Sequence, residues 1–196
     1  GRMTEARAWL ERIPPQLLAE DVELRLIAAW IMAFSERHAE ARGTALAVLR
    51  DPQASARVRI IASRVAGAAV MYADRVGLVD ELMHDWPHEA VEADEPLYRL
   101  AYDNGLAMLA LQAGRNAEVR ELGARAPAEH SSPALPLALA FSRVLAALSL
   151  LHDGDAIRCE AMLRPLLRDA ERDAGRRGMV ACVYAPVLAS ALREQG

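Results

Sequence analysis

LRLIAAWIMAFSERHAEARGTALAVL, residues 24–49, is the stretch that decides the fold. Apolar residues recur at helical spacing as far as Phe34, a polar Ser35-Glu36-Arg37 interrupts them, and a second helical pattern rich in small residues runs from His38. Two helices joined by so short a break form a hairpin. One hairpin cannot bury the apolar stripes of both its helices, so neighbouring hairpins must stack and share a core.

Working outward, the break recurs at Gly1-Arg2, Glu36-Arg37, Gly77-Leu78, Gly114-Arg115 and Gly154-Asp155, at spacings of 35, 41, 37 and 40 residues. Four residues after each stand Glu5, Glu40, Glu81, Glu118 and, as the exception, Arg158. One further on come Ala6, Ala41, Leu82, Val119 and Cys159, all apolar and mostly small. Seven residues before the break lie Ala29, Val70, Ala107 and Ala147, where a small side chain lets one helix approach its partner. Two-helix units of about 34 to 45 residues define the TPR and HEAT range. The expected fold class is therefore all-α: a TPR-like helical-hairpin solenoid, a right-handed superhelix of about nine to ten helices.

The segments read as a leading helix over 3–12, stopped by Pro14-Pro15, then pairs over 21–35 with 38–50, 54–74 with 78–85, 96–112 with 116–125 and 136–151 with 156–174. Gly175-Arg176-Arg177-Gly178 reads as a C-cap, with arginines at the negative end of the helix dipole. A last helix is expected over 179–193. Residues 1–196 are expected to form one TPR-like repeat domain, a fragment of a longer chain, because a second helix opens it without a first and a first helix closes it without a second. Exposed apolar ends would favour self-association.

Composition narrows the function. All 23 basic residues are arginine, which removes a Walker A loop, a pyridoxal Schiff base and a lysine nucleophile from consideration. A net charge of −4 is not the footprint of a nucleic-acid-binding surface, so no direct nucleic-acid contact is expected of this segment. Cys159 and Cys182 fall in different helices with apolar neighbours, as core-filling thiols do, and point to the cytoplasm. The apolar run 131–152 is long, but Arg143 at its middle costs about 2.5–3.5 kcal/mol in a bilayer, so no membrane is expected as a partner.

Trp9-Leu10-Glu11-Arg12-Ile13-Pro14, Leu17-Leu18, Leu24-Arg25-Leu26, Ala29-Trp30 and the break into His38-Ala39-Glu40-Ala41 together resemble the repeat region of MalT-like, LuxR-family large ATP-binding transcriptional regulators. The likeness is sharpest over residues 9–49 and generic beyond. In that family a nucleotide-binding module precedes the repeats and a helix-turn-helix follows them; this sequence contains neither. The resemblance implies a sensor segment, a ligand- or protein-binding regulatory repeat domain that controls activation or assembly of its parent. Its partner would be a small-molecule inducer or a regulatory protein or peptide. The alternative is a generic TPR-like scaffold that binds a peptide or self-associates.

No local pattern marks a catalytic set, since GxSxG and HExxH are absent, and no enzyme activity or cofactor is expected. His84, Asp85, His88 and Glu89 surround Pro87, which breaks the helical spacing that would align the histidines on a metal, so a polar loop is expected there. Trp9 and Trp86 are expected as wedges between helices. Trp30, Met71 and Met108 each precede their break by six residues, a position that tends toward the concave groove in TPR-like arrays. They form either an adaptable apolar floor or inter-repeat core. Arg64, Asn104 and Tyr102, further up the same helices, are the candidate polar and aromatic contacts of that groove.

Overall fold

The computed structural model describes residues 2–84, 96–126 and 135–196. They form eleven α-helices and one 3₁₀ turn, with no strand among the described residues. The chain divides into two compact units, Gly1–Asp94 and Glu95–Gly196, where the sequence reading drew a single array. The first holds α1 (Arg2–Leu10), α2 (Pro15–Glu20), α3 (Val22–Ala33), α4 (His38–Leu49), α5 (Ala56–Tyr72), the 3₁₀ turn Val76–Leu78 and α6 (Val79–His84). The second holds α7 (Pro96–Gln112), α8 (Asn116–Ala124), α9 (Leu135–His152), α10 (Ala156–Ala174) and α11 (Met179–Glu194).

Helix α2 is the addition to the expected set. Pro14-Pro15 was expected only to stop a helix, but Pro15 occupies the first turn of α2, where a missing N–H removes no bond. Beside α2, Leu10 of α1 packs with Ala28 and Ile31 of α3. Trp9, expected as a wedge, is instead 48% exposed. Its neighbour Leu10 takes the buried face of α1, so adjacent Trp9 is turned outward.

Stacked hairpins make three kinds of helix contact: within a pair, from the second helix to the next pair, and between first helices. In the first unit α3 packs on α4, α4 on α5 and α3 on α5. In the second, α7, α8 and α9 repeat that triangle, and α9, α10 and α11 repeat it again. These contacts close over alanine-rich surfaces. Ala29, Ala41, Ala45, Ala62 and Ala66 are completely buried in the first unit, as are Ala110, Ala140, Ala147 and Ala191 in the second. Helix α9, the apolar run with Arg143 at its centre, supplies Ala140, Val144, Ala147 and Leu150 to a core shared with Tyr184 and Leu188 of α11. No described helix is long and apolar enough to cross a membrane.

One backbone device makes every hairpin. Glu36, Asp74, Gly114 and Gly154 take left-handed backbone, with φ of 62°, 53°, 71° and 78°. The next residue's amide donates to the carbonyl five residues earlier: Arg37 to Met32 (3.1 Å), Arg75 to Val70 (3.0 Å), Arg115 to Ala110 (2.8 Å) and Asp155 to Leu150 (2.8 Å). This bond satisfies a carbonyl at the helix end and turns the chain back. The third break is thus Asp74-Arg75, not Gly77-Leu78, and the left-handed positions are 38, 40 and 40 residues apart. Counted from them, the small position becomes Ala29, Gly67, Ala107 and Ala147. The buried position after the break becomes Ala41, Val79, Val119 and Cys159, none more than 5% exposed.

The exception at Arg158 also resolves. Arg37 pairs with Glu40 and Arg115 with Glu118, both at 2.6 Å, while Asp155 and Arg158 make the pair with charges exchanged, at 3.4 Å. Asp155 adds a cap, accepting from the Arg158 amide at 3.0 Å. These pairs are exposed and screened by solvent, so they mark register more than they stabilise it.

Between α4 and α5, Asp51 accepts from the Gln53 amide at 2.8 Å and pairs with Arg25 of α3. Those two contacts, the Gln53 amide first, hold the Asp51 carboxyl below its ordinary 3.8. A depressed carboxyl stabilises the fold above its unfolded value and ceases to do so as pH falls through its folded value. Thermal melts carried from neutral pH into acid should therefore show a smaller loss for Asp51→Asn than for the parent chain.

Non-glycine residues in left-handed backbone cost roughly 1–2 kcal/mol. Glu36→Gly and Asp74→Gly are each expected to stabilise by about 1 kcal/mol in urea titrations, and Gly154→Ala to destabilise by about as much. Equal midpoints for all three variants would contradict the cap assignment.

Candidate functional site

Trp30 and Phe34 stand one helical turn apart, on α3 and at its C-cap, and their rings stack at 5.3 Å with planes 5° apart. Helix α5 packs beside α3 and brings the Arg64 guanidinium carbon to 5.9 Å from the Trp30 ring centroid. Tyr72, the last residue of α5, tilts against Phe34 at 5.8 Å, and His38 at the start of α4 tilts against Tyr72 at 6.1 Å. The result is a continuous ladder: Arg64, Trp30, Phe34, Tyr72, His38. Aromatic pairs contribute about 0.5–1.5 kcal/mol beyond area burial, and an exposed cation over a ring about 0.5–1 kcal/mol. Trp30 is only half-buried, so it keeps surface for a ligand. Burial pushes the Tyr72 phenol up to about 12, leaving it neutral at physiological pH. Such an array grips a planar or apolar group and places one guanidinium beside it.

The six residues expected to share a groove separate into three situations. Trp30 and Arg64 are brought together as described. Met71 is half-buried on α5 but does not share Trp30's register: it precedes its break at Asp74 by three residues, and the position equivalent to Trp30 and Met108 is Ala68. The shift follows from reading Gly77 as the turn. In the second unit, Met108 lies partly buried against Ala107, Ala110, Leu111 and Val119. Tyr102 is half-buried on the same helix. Asn104 is 8% exposed, and its side-chain amide donates to the Ala138 carbonyl at 2.9 Å, which ties α7 to α9. Its donor is committed to packing.

Sequence reasoning missed Phe34, Tyr72 and His38 as parts of the ladder. The spacing of Trp30 to Phe34 was a usable signal, since residues four apart share a helix face. Nothing local announced the contact of α3 with Tyr72. Asp103 also went unnoticed: burial pushes its carboxyl up, against the opposing pull of Arg125 and Arg99. The metal reading of residues 84–89 concerns side chains outside the described residues, as does Trp86. Among the described residues no three His, Cys, Asp or Glu gather as a metal site requires.

A cleft of about 180 Å³ opens beside His38 in the first unit, between α4, the end of α5 and the 3₁₀ turn. None of the six expected residues lines it. No family model matches the chain, and neither the curated proteins nor the solved structures give a significant match.

Removing the Asn104 amide leaves the Ala138 carbonyl without its donor in a buried place. Asn104→Ala is expected to destabilise by about 1–3 kcal/mol in chemical denaturation. An unchanged midpoint would mean that the amide is not a tie between α7 and α9.

Proposed function

We propose that this chain is a ligand- or protein-binding regulatory repeat domain of a bacterial LuxR-family transcriptional regulator, and that occupancy controls the parent's activation or assembly. The binding half of this reading is carried by one observation, the partly buried Trp30 ring seated flat on Phe34 with Arg64 above it. Stacked-hairpin contacts inside each unit support a scaffold role. The regulatory half rests on the resemblance over residues 9–49. Cytoplasmic location and a non-catalytic role belong to the same proposal; both cysteines are free, with Cys159 buried and Cys182, expected in the core, exposed.

A plain TPR-like scaffold that grips a peptide or a second copy is the other reading. The stacked-hairpin contacts inside each unit suit it equally.

The discriminating experiment is a thermal-shift screen against sugars, small metabolites and peptides. A ligand at a hundredfold its Kd stabilises the fold by about 2.7 kcal/mol, which raises Tm measurably. Metabolite hits favour the sensor reading and peptide hits the scaffold. In either case Trp30→Ala is expected to weaken the hit at least tenfold, Arg64→Ala less, with far-UV circular dichroism unchanged. Full affinity in both variants would remove the ladder from the binding site.

A further inference from the structure

We propose that the cleft at the start of α4 binds a small free carboxylate carrying a short apolar tail. The cleft adjoins the Trp30 ladder through His38, which ends the ladder and lines the cleft, and the inference goes beyond the regulatory reading.

Three basic side chains line this cleft, His38 and Arg42 from α4 and Arg75 from the turn, and no acidic residue does so among the described residues. Two of their nitrogens are buried without a hydrogen-bond partner among the described residues: Nδ1 of His38 and Nε of Arg42. Buried polar nitrogens normally find partners, so two such nitrogens on residues that line one recess leave hydrogen-bonding capacity unused beside it. Arg42 has one ion pair, to Glu81 at 3.6 Å, and Glu81 is 67% exposed. A long contact to a solvated carboxylate is easily exchanged for a better one. No side chain caps α4, so its first amides add partial positive charge on the same side.

The remaining walls are apolar: Leu46 of α4, Val70 of α5 and Leu78 of the 3₁₀ turn. Volume sets the size of the guest. At roughly 30 Å³ for each water-sized group, 180 Å³ holds about six such groups, below the 300–1,000 Å³ typical of drug-sized ligands. A carboxylate head beside Arg42 and Arg75 with a tail of a few carbons against Leu46 and Val70 satisfies charge and volume together. Inorganic phosphate would meet the charge but leave the apolar wall unused, and a neutral alcohol the reverse.

Gly43 provides a clean control. It lines the cleft from within α4, and a Cβ added there meets no atom within 4 Å. Gly43→Leu therefore adds bulk at the wall of the cleft without a clash at the backbone and replaces a poor helix former by a good one.

The test follows the His38 side-chain signals by NMR while sodium butyrate, 1-butanol, inorganic phosphate or a blocked glutamate-containing peptide is added. Saturable shifts with butyrate, at least tenfold weaker with butanol, phosphate and the peptide, are expected. Arg42→Gln should weaken butyrate at least tenfold and Glu81→Gln should strengthen it. Gly43→Leu should abolish the response with Tm unchanged or raised, which keeps the test decisive even where Arg42→Gln fails to fold. Absence of a saturable shift, equal response to butanol or phosphate, tighter binding of the peptide, or full butyrate binding by Gly43→Leu would each overturn the proposal.

Discussion

A backbone amide that reaches back five residues, past a left-handed residue, is what converts long apolar helices into a packed structure here. Without that bond the last carbonyls of α3, α5, α7 and α9 would lack partners and the chain would leave each helix in an undefined direction. With it, a second helix returns at once and its apolar face meets the first. Alanine can then dominate the interior, because its small side chain contributes most where helix backbones lie close. The fully buried Ala41 and Cys159, five residues past their left-handed positions, show how tightly the return is drawn.

Much of this was legible because the capping chemistry is local. Gly114 and Gly154 are glycines where left-handed backbone is needed, and Glu36 was recognised from the pattern around it. Asp74 was not, because Gly77 stood three residues downstream and glycine is the usual occupant of such a turn. Aspartate also tolerates that conformation, and its use displaced the alignment of everything around it. The displacement explains why Met71 was paired with Trp30, and why Val70 and Leu82 were assigned positions that belong to Gly67 and Val79.

The site was less legible than the fold, for a reason that lies in distance along the chain. Trp30 and Phe34 are neighbours by helical geometry and could be paired from sequence. Arg64 reaches Trp30 only because α5 packs on α3, and Tyr72 reaches Phe34 for the same reason. Side chain to side chain encounters of this sort depend on crossing angles that periodicity does not encode. Asn104 shows the converse: its place on the first helix was read correctly, but its burial and its bond to Ala138 follow from packing alone.

The 3₁₀ turn Val76–Leu78 sets one hairpin apart from its fellows. Elsewhere the returning helix starts two residues after the left-handed position, at His38, Asn116 and Ala156; after Asp74 it starts only at Val79. Those extra residues include Arg75 and Leu78, which help to line the recess. In a lattice of near-identical motifs every location looks alike to a visitor. Individuality comes from the flaw, and a mutation that healed it into a regular turn would erase the landmark while leaving the lattice sound.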